Sequence, residues 1–258
     1  MVQQTNINDI AKHLFSQRHC VNPESNLLPE QHIDSIETAL EIQVAMIALN
    51  QHNVTGWKCL TPRDNGDLIV APILADAIVN QHDCAILSSA QRALIEPEIA
   101  FVVGQTFEAH RHYSDTEIGQ QISATHMALE LIQQRFSRDY SATFVEKLAD
   151  GLSNQGLYLG PEIDKAKALM ASKIQITVTQ QQTTNTYDGC HPCDLPASPL
   201  YWLVNFLTAR GIEITAGQAI ITGSYCGVLK VDMDKPLQIE YQGLGKMSLS
   251  FSELSFSQ

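Results

Sequence analysis

The sequence has little positive charge for its length. Its 258 residues include 16 lysines and arginines against 28 aspartates and glutamates, which gives a formal net charge of −12. Nucleic-acid binding requires a basic surface that neutralises phosphates, so we expect no nucleic-acid partner. An acidic protein can still bind an anionic substrate where a metal ion reverses the local charge.

Segments that direct a chain into a membrane are also missing from the sequence. Residues 1–6 do not carry the basic region and apolar core of a secretory signal. The most apolar stretch, residues 68–79, contains Pro72 and Asp76 and is too short to span a bilayer. The six cysteines are scattered, which favours free thiols in a reducing compartment. These features predict a cytoplasmic protein with no membrane partner.

The apolar pattern changes from helical to extended along the chain. Residues 30–52 repeat apolar side chains at helical spacing. Ser114 and Glu117 form a capping box that predicts a helix to about His126, and a second helix is predicted over 198–211. Short β-favouring runs predict strands at 68–71, 84–87, 94–103, 128–133, 155–159, 173–178, 219–222, 237–241 and 247–251. Helices first and strands afterwards indicate an α+β fold.

Two carboxylates lie two residues apart in the predicted strand 94–103. Alternate strand residues face the same side, so Glu96 and Glu98 project together. Side by side they raise each other's pKa unless a cation lies between them, and apolar neighbours favour Mg²⁺ or Mn²⁺ there. An edge strand that contains Pro97 and exposes both acids explains the same pattern. The spacing leaves both interpretations open.

Two other charged residues lie in apolar surroundings. Glu130 follows Ala128-Leu129, and a carboxylate there is either exposed or meets a cation. Lys58 follows Gly56-Trp57, where it is either a surface lysine or a buried general acid/base whose pKa burial lowers. The Cys190-His191-Pro192-Cys193 segment has redox or zinc spacing. It lacks a second pair of ligands, so we expect a loop near the substrate instead.

Seven short segments of the chain form a recognisable series. They are Gly56-Trp57-Lys58 with Leu60-Thr61, Leu74-Ala75-Asp76, residues 95–101, Ala128-Leu129-Glu130 with Arg135, Ala149-Asp150 with Ser153, Pro199-Leu200 with Trp202-Leu203, and residues 220–224 with Gly227. In this order they resemble the 2-oxopent-4-enoate hydratase / 4-oxalocrotonate decarboxylase family of the fumarylacetoacetate hydrolase superfamily. The resemblance extends from about Ile36 to Phe251.

The resemblance implies a mixed β-sandwich roll with a smaller N-terminal helical subdomain, which we place at residues 1–65 before a β-rich catalytic domain at 66–258. It also implies homo-oligomers. The implied metal ligands are Glu96, Glu98 and Glu130, with Mg²⁺ or Mn²⁺ as cofactor. The implied acid/base residues are Lys58 and Asp76. The implied substrate contacts are Leu60, Ser153, Thr222, Gly223 and Ser224.

The function implied by the resemblance is a lyase. It adds water to a 2-hydroxy-2,4-dienoate, of the kind formed in aromatic catabolism, and gives a 4-hydroxy-2-oxo acid. A 4-oxalocrotonate-type decarboxylase shares the fold and the metal site. An acylpyruvate-type hydrolase is a third possibility, although hydrolases of the superfamily usually have aspartate where Glu130 stands. A degenerate homologue that serves as an assembly partner is the fourth, and it predicts a disrupted metal site.

Overall fold

The computed structural model describes residues 2–74 and 82–255. Within them the helices are α1 (Val2–Gln17), α2 (Ile36–Leu49), α3 (Asp115–Gln121), α4 (Phe144–Ala149), α5 (Lys165–Leu169) and α6 (Ala197–Ala209). The strands are β1 (Gly56–Cys59), β2 (Val70–Ile73), β3 (Asp83–Ile86), β4 (Arg92–Val103), β5 (Ile122–Ile132), β6 (Asn154–Glu162), β7 (Lys173–Gln180), β8 (Thr183–Cys190), β9 (Ala219–Ile221), β10 (Leu229–Asp232), β11 (Leu237–Tyr241) and β12 (Gly245–Glu253).

The strands form two mixed sheets. The larger sheet has the order β2-β1-β9-β4-β5-β6, and β10 also pairs with β4. The smaller sheet has the order β3-β12-β11-β7-β8. Apolar residues of both sheets and of α6 share one large core, whereas α1, α2 and α4 pack around a second, smaller cluster. The predicted α+β class is therefore confirmed.

Most predicted elements are present, but the capping-box helix is shorter than expected. Ser114 caps α3 through the reciprocal bonds with Glu117, yet the helix ends at Gln121. The prediction that it continues to His126 is wrong, because residues 122–126 begin β5 and pair with the end of β4. The long pairing with β4 decides the conformation of these residues.

The central strand β4 has a gap in its pairing on one side. There β9 pairs with residues 100–102 and β10 pairs with residues 92–95. Pro97 lies between the two paired segments, so its missing N–H interrupts no ladder on that side. The chain crosses this gap after β9, where the Tyr225 N–H donates to the Pro97 carbonyl at 3.1 Å. The edge-strand interpretation of Pro97 is thus wrong, and the gap brings the 222–225 segment next to the β4 side chains.

The N-terminal helices are attached to the larger sheet by a polar side chain as well as by apolar contacts. The buried Gln43 of α2 donates through Nε2 to the Val70 carbonyl at 3.0 Å and to the Leu148 carbonyl at 2.6 Å. These bonds connect α2 to β2 and to the end of α4. Within residues 2–74 and 82–255, no helix combines the length and apolar character needed to cross a membrane. A division of the chain at residue 65 stays a prediction.

Candidate metal and active site

The three glutamates meet on one face of the larger sheet. Glu96 of β4 is directly opposite Glu130 of β5, and Glu98 is two residues further along β4. One carboxylate oxygen from each lies within 4.8 Å of the other two. Glu98 and Glu130 are buried and Glu96 is half-buried. Like charges directly opposite each other destabilise a sheet, so this cluster needs a compensating charge.

Lys58 supplies one compensating charge. It extends from β1, and its Nζ is 2.5 Å from Glu130 Oε1. Burial alone would lower the pKa of Lys58, but the Glu130, Glu96 and Glu98 carboxylates together raise it above the ordinary value. Lys58 is buried, so the surface-lysine interpretation is wrong, and the lowered pKa of the buried alternative is wrong as well. The neighbours of Lys58 along the chain do not reveal that three acids surround its ammonium group in the fold.

The carboxylates remain under-compensated. Burial and the negative charge of Glu130 raise the pKa of Glu96 to about 7, and the positive charge of Lys58 offsets only part of this. Burial and the two neighbouring acids raise the pKa of Glu98 well above its usual range, although the Gly223 N–H opposes the shift. These directions follow from burying three acids with one base.

A divalent cation fits this set of residues. Glu130 Oε2 is buried and has no hydrogen-bond partner among the described residues. Three hard carboxylate oxygens on neighbouring positions are the donors that Mg²⁺ and Mn²⁺ prefer. In the described part of the chain, these glutamates are also the only three His, Cys, Asp or Glu side chains that come together in this way. The Cys190 to Cys193 segment therefore provides no zinc cluster there.

The segment after β9 closes one side of the carboxylate cluster. The Gly223 N–H donates to Glu98 Oε2 at 2.7 Å. Gly223 has φ +124, and a Cβ there would be 2.6 Å from Leu60 Cδ2 and 2.7 Å from Pro192 Cγ. Only glycine fits this position without displacing its neighbours. The predicted substrate residues Leu60 and Gly223 are thus in contact beside Glu98.

The other predicted substrate residues are placed differently. Thr222 is buried next to Gly223, whereas Ser224 Oγ donates to the Gly227 carbonyl at 3.3 Å rather than toward the carboxylates. Ser153 has φ +64 in the turn that leads into β6. Its neighbour Asn154 donates through Nδ2 to Glu130 Oε1 at 2.9 Å. Asp76 lies outside the described residues.

The Cys190 to Cys193 loop lies against the 222–223 segment. His191 Nδ1 accepts from the Cys193 N–H at 3.2 Å, and its Nε2 is 3.4 Å from Thr222 Oγ1. Burial lowers the pKa of His191 to about 4, so the ring is neutral at physiological pH. Thr61 Oγ1 is 3.2 Å from Cys193 Sγ. All six cysteines are in the described part of the chain and are free, as predicted.

Asn154 and His191 were not predicted from the sequence as parts of the site. Asn154 belongs to the polar run Ser153-Asn154-Gln155 before an apolar strand, and such a run resembles an ordinary turn. In the sequence analysis, His191 is named only as a member of the Cys190 to Cys193 segment. The signal that could have indicated Asn154 is its position next to a predicted substrate contact.

The chain is similar to enzymes of known sequence and structure. It is 23% identical over 166 residues to a 2-keto-4-pentenoate hydratase of Paraburkholderia xenovorans, over 64% of this chain and 61% of that protein. It is 27% identical over 161 residues to the 4-oxalocrotonate decarboxylase of Pseudomonas sp. strain CF600, over 61% of this chain and 59% of that protein. The matched segment thus spans about three fifths of the length of these relatives. No family model matches the chain.

The fold has a counterpart in a solved structure. The 4-oxalocrotonate decarboxylase of Pseudomonas putida G7, complexed with magnesium and adipate, superposes with a TM-score of 0.73 at 18% identity, over 96% of this chain and 98% of that one. A fumarylacetoacetate hydrolase family protein of Yersinia pestis superposes with a TM-score of 0.51 at 15% identity, over 77% and 93% of the two chains. The chain has the fumarylacetoacetate hydrolase superfamily fold. The resemblance predicted from the motifs, to the hydratase and decarboxylase family, is confirmed.

Proposed function

We propose that the chain is a hydro-lyase that depends on a divalent cation and adds water to a 2-hydroxy-2,4-dienoate. The observation that carries the proposal is the buried cluster of Glu96, Glu98 and Glu130, which meets a single lysine. The relatives named 2-keto-4-pentenoate hydratase support the choice of reaction. The magnesium in the decarboxylase structure supports the cation, and we extend the proposal to Mn²⁺.

Glu96, Glu98 and Glu130 would hold the cation, each through a carboxylate oxygen. When bound, the cation supplies a Lewis acid for the substrate carboxylate and its neighbouring 2-oxo oxygen. The Gly223 N–H holds Glu98 Oε2 in place, which limits how far that ligand can turn. Leu60 and Pro192 pack next to Gly223 and would form the apolar wall along the hydrocarbon part of the substrate.

Lys58 would move the protons. As an ammonium with a raised pKa it is protonated at neutral pH, and it lies within hydrogen-bond distance of Glu130. During ketonisation the proton leaves the 2-hydroxyl and a proton is added at C5, which moves the double bond to C3–C4. Water then adds its hydroxyl at C4 and a proton at C3. We assign these transfers to Lys58 together with Asp76.

A 4-oxalocrotonate-type decarboxylase is the second candidate. It is favoured by the relative from Pseudomonas sp. strain CF600, which has a higher identity than the hydratase from P. xenovorans. The two reactions would share the carboxylates and the lysine and would differ in whether CO₂ leaves. We further propose a cytoplasmic homo-oligomer that acts in aromatic catabolism, in keeping with free thiols and with the kind of substrate.

The experiment is turnover of 2-hydroxypenta-2,4-dienoate and of 4-oxalocrotonate, each with Mg²⁺, with Mn²⁺ and with excess EDTA. We expect cation-dependent loss of the dienol's ultraviolet absorbance without CO₂ release. Release of CO₂ from 4-oxalocrotonate would instead establish the decarboxylase. Turnover of neither substrate by protein that binds the cation would refute both activities. The exposed Glu30→Gln variant is the control for a surface charge change, and it should turn over like the wild type.

A further inference from the structure

The two carboxylate oxygens of Glu130 have different surroundings. Oε1 accepts a hydrogen bond from Lys58 Nζ at 2.5 Å and another from Asn154 Nδ2 at 2.9 Å. Oε2 is buried and has no partner among the described residues. Both donors therefore lie on the same oxygen. This division leaves Oε2 as the atom that would face a cation between Glu130, Glu96 and Glu98.

The Asn154 side chain is fixed in orientation. It is fully buried, and its Nδ2 also donates to the Gly156 carbonyl at 3.2 Å. Both neighbours of Nδ2 are acceptors, so the amide nitrogen and oxygen cannot be exchanged. The Asn154 carbonyl in turn accepts from Arg135 Nη1 at 3.0 Å. Hydrogen bonds therefore fix both the backbone and the side chain of Asn154.

The amide oxygen of Asn154 indicates a ligand beside it. Oδ1 is buried and accepts no hydrogen bond from the described residues. It belongs to the amide that contacts Glu130, so it lies next to the carboxylate cluster. A buried amide oxygen without a partner is costly in a folded protein. It offers an acceptor to a water molecule or a substrate hydroxyl near the cation.

We infer that Asn154 is a positioning residue of the cation site, which holds Glu130 Oε1 so that Oε2 faces the cation. The inference rests on the proposed function for the identity of the site. Lys58 holds the same oxygen but has to move protons during the reaction, whereas Asn154 cannot ionise. Asn154 therefore keeps Glu130 in place when the Lys58 hydrogen bond breaks. Partners that orient a metal ligand typically change metal affinity 10–100-fold when removed.

The test is Mn²⁺ binding to the Asn154→Leu variant in the absence of substrate. Leucine has a similar volume and lacks the amide hydrogens. We expect the dissociation constant for Mn²⁺, measured by electron paramagnetic resonance, to rise about 10-fold or more. A constant within about twofold of the wild type would overturn the inference, whatever the melting temperature does. The control is Asn185→Leu, at an exposed position of β8, which should bind Mn²⁺ like the wild type.

A second variant, Asn154→Ser, keeps the inference testable if Asn154→Leu does not fold. Asn154→Ser keeps a small polar side chain, but its hydroxyl is too short to reach Glu130 from the same backbone. It should weaken Mn²⁺ binding in the same direction, and unchanged affinity would again overturn the inference. Failure of this inference can be distinguished from failure of the proposed function. Wild-type protein that binds Mn²⁺ but turns over neither substrate refutes the activity alone, while equal Mn²⁺ binding by wild type and variant refutes the role of Asn154 alone.

Discussion

Two buried charged groups lie close together in this protein and differ in how completely their charges are matched. Arg135 and Asp150 form a bidentate pair, with Nε and Nη2 each 2.9 Å from a carboxylate oxygen. The remaining Arg135 hydrogens reach the Asp150 carbonyl, the Asn154 carbonyl and Gln133 Oε1. Every donor of this guanidinium has an acceptor, and within the pair one positive charge meets one negative charge. A second buried arginine, Arg18, donates to the Asp150 carbonyl at 3.3 Å.

The carboxylate cluster has the opposite character. Glu96, Glu98 and Glu130 surround the single ammonium of Lys58, and Glu130 Oε2 has no partner among the described residues. The matched pair orients the chain and requires nothing from outside. The unmatched cluster indicates that a positive ligand completes it. Burial alone does not distinguish a structural charge from a functional one, whereas the balance of charges and hydrogen bonds around it does.

The largest expected effect is that of Glu98→Gln. It should lower turnover by about 1,000-fold or more, because a metal ion contributes several kcal/mol to the transition state. Cation binding, measured by isothermal titration calorimetry, should be lost as well. The free energy of unfolding in EDTA should be no lower than that of the wild type, since one of three repelling acids is removed. A fully active Glu98→Gln variant would remove this residue from the site.

Asp150→Asn tests the matched pair. It leaves the Arg135 guanidinium buried without a counter-charge, and we expect a loss of about 3–5 kcal/mol in the free energy of unfolding. Urea denaturation in EDTA measures the loss. The exposed Asp64→Asn variant is the matched control and should remain within about 0.5 kcal/mol of the wild type. If Asp150→Asn and Glu98→Gln had equal effects on stability, the distinction between the two groups would fail.

Lys58→Met tests whether Lys58 transfers protons or only balances the negative charge of the three glutamates. Turnover should fall about 100-fold or more, because general acid–base catalysis is removed. Mn²⁺ affinity should change only a few-fold, because the variant loses a hydrogen bond to Glu130 but also loses a positive charge that repels the cation. Steady-state kinetics and cation titration on the same preparation provide both numbers, with the exposed Lys12→Met as control. Wild-type turnover would contradict a role for Lys58 in proton transfer.

The smallest expected effect is a release of protons when the cation binds. The pKa of Glu96 is about 7 in the folded protein, above its unfolded value, so the folded protein without a cation becomes less stable as pH rises toward 7. A cation displaces that proton, and its affinity should rise over the same pH range. Calorimetry in two buffers of different ionisation enthalpy should detect about one proton or more per cation at pH 6, and fewer at pH 8.5. Equal proton release at both pH values would contradict the raised pKa.

The sequence indicated that the three glutamates come together because strand alternation and the family motifs point to the same side chains. The period of β4 places Glu96 and Glu98 on one face, and the Ala128-Leu129-Glu130 motif points to the third member of the cluster. Their role as metal ligands stays a prediction. The position of Asn154 could not be predicted in this way. It depends on the irregular pairing of β5 with β6, where the register shifts between Leu131 and Ile132. Local sequence does not reveal such a shift.

The direction of the Lys58 pKa was missed for a related reason. Sequence position showed apolar neighbours and therefore burial, which lowers the pKa of a lysine. It could not show that β4 and β5 direct three acids toward the ammonium. The end of α3 was also misplaced, since residues 122–126 owe their extended conformation to the β4 residues opposite them. Contacts between distant segments decided each of these features.

The segment that crosses the gap in β4 meets the carboxylate cluster only in the folded protein. The Glu98–Gly223 hydrogen bond joins residues 125 positions apart, and the Lys58–Glu130 contact joins residues 72 apart. The proposed cation site therefore exists only after distant parts of the chain have come together, and an unfolded chain cannot reproduce it. A ligand that binds only the folded state raises the free energy of unfolding with the logarithm of its concentration. The melting temperature of this protein should accordingly report the free cation concentration around it.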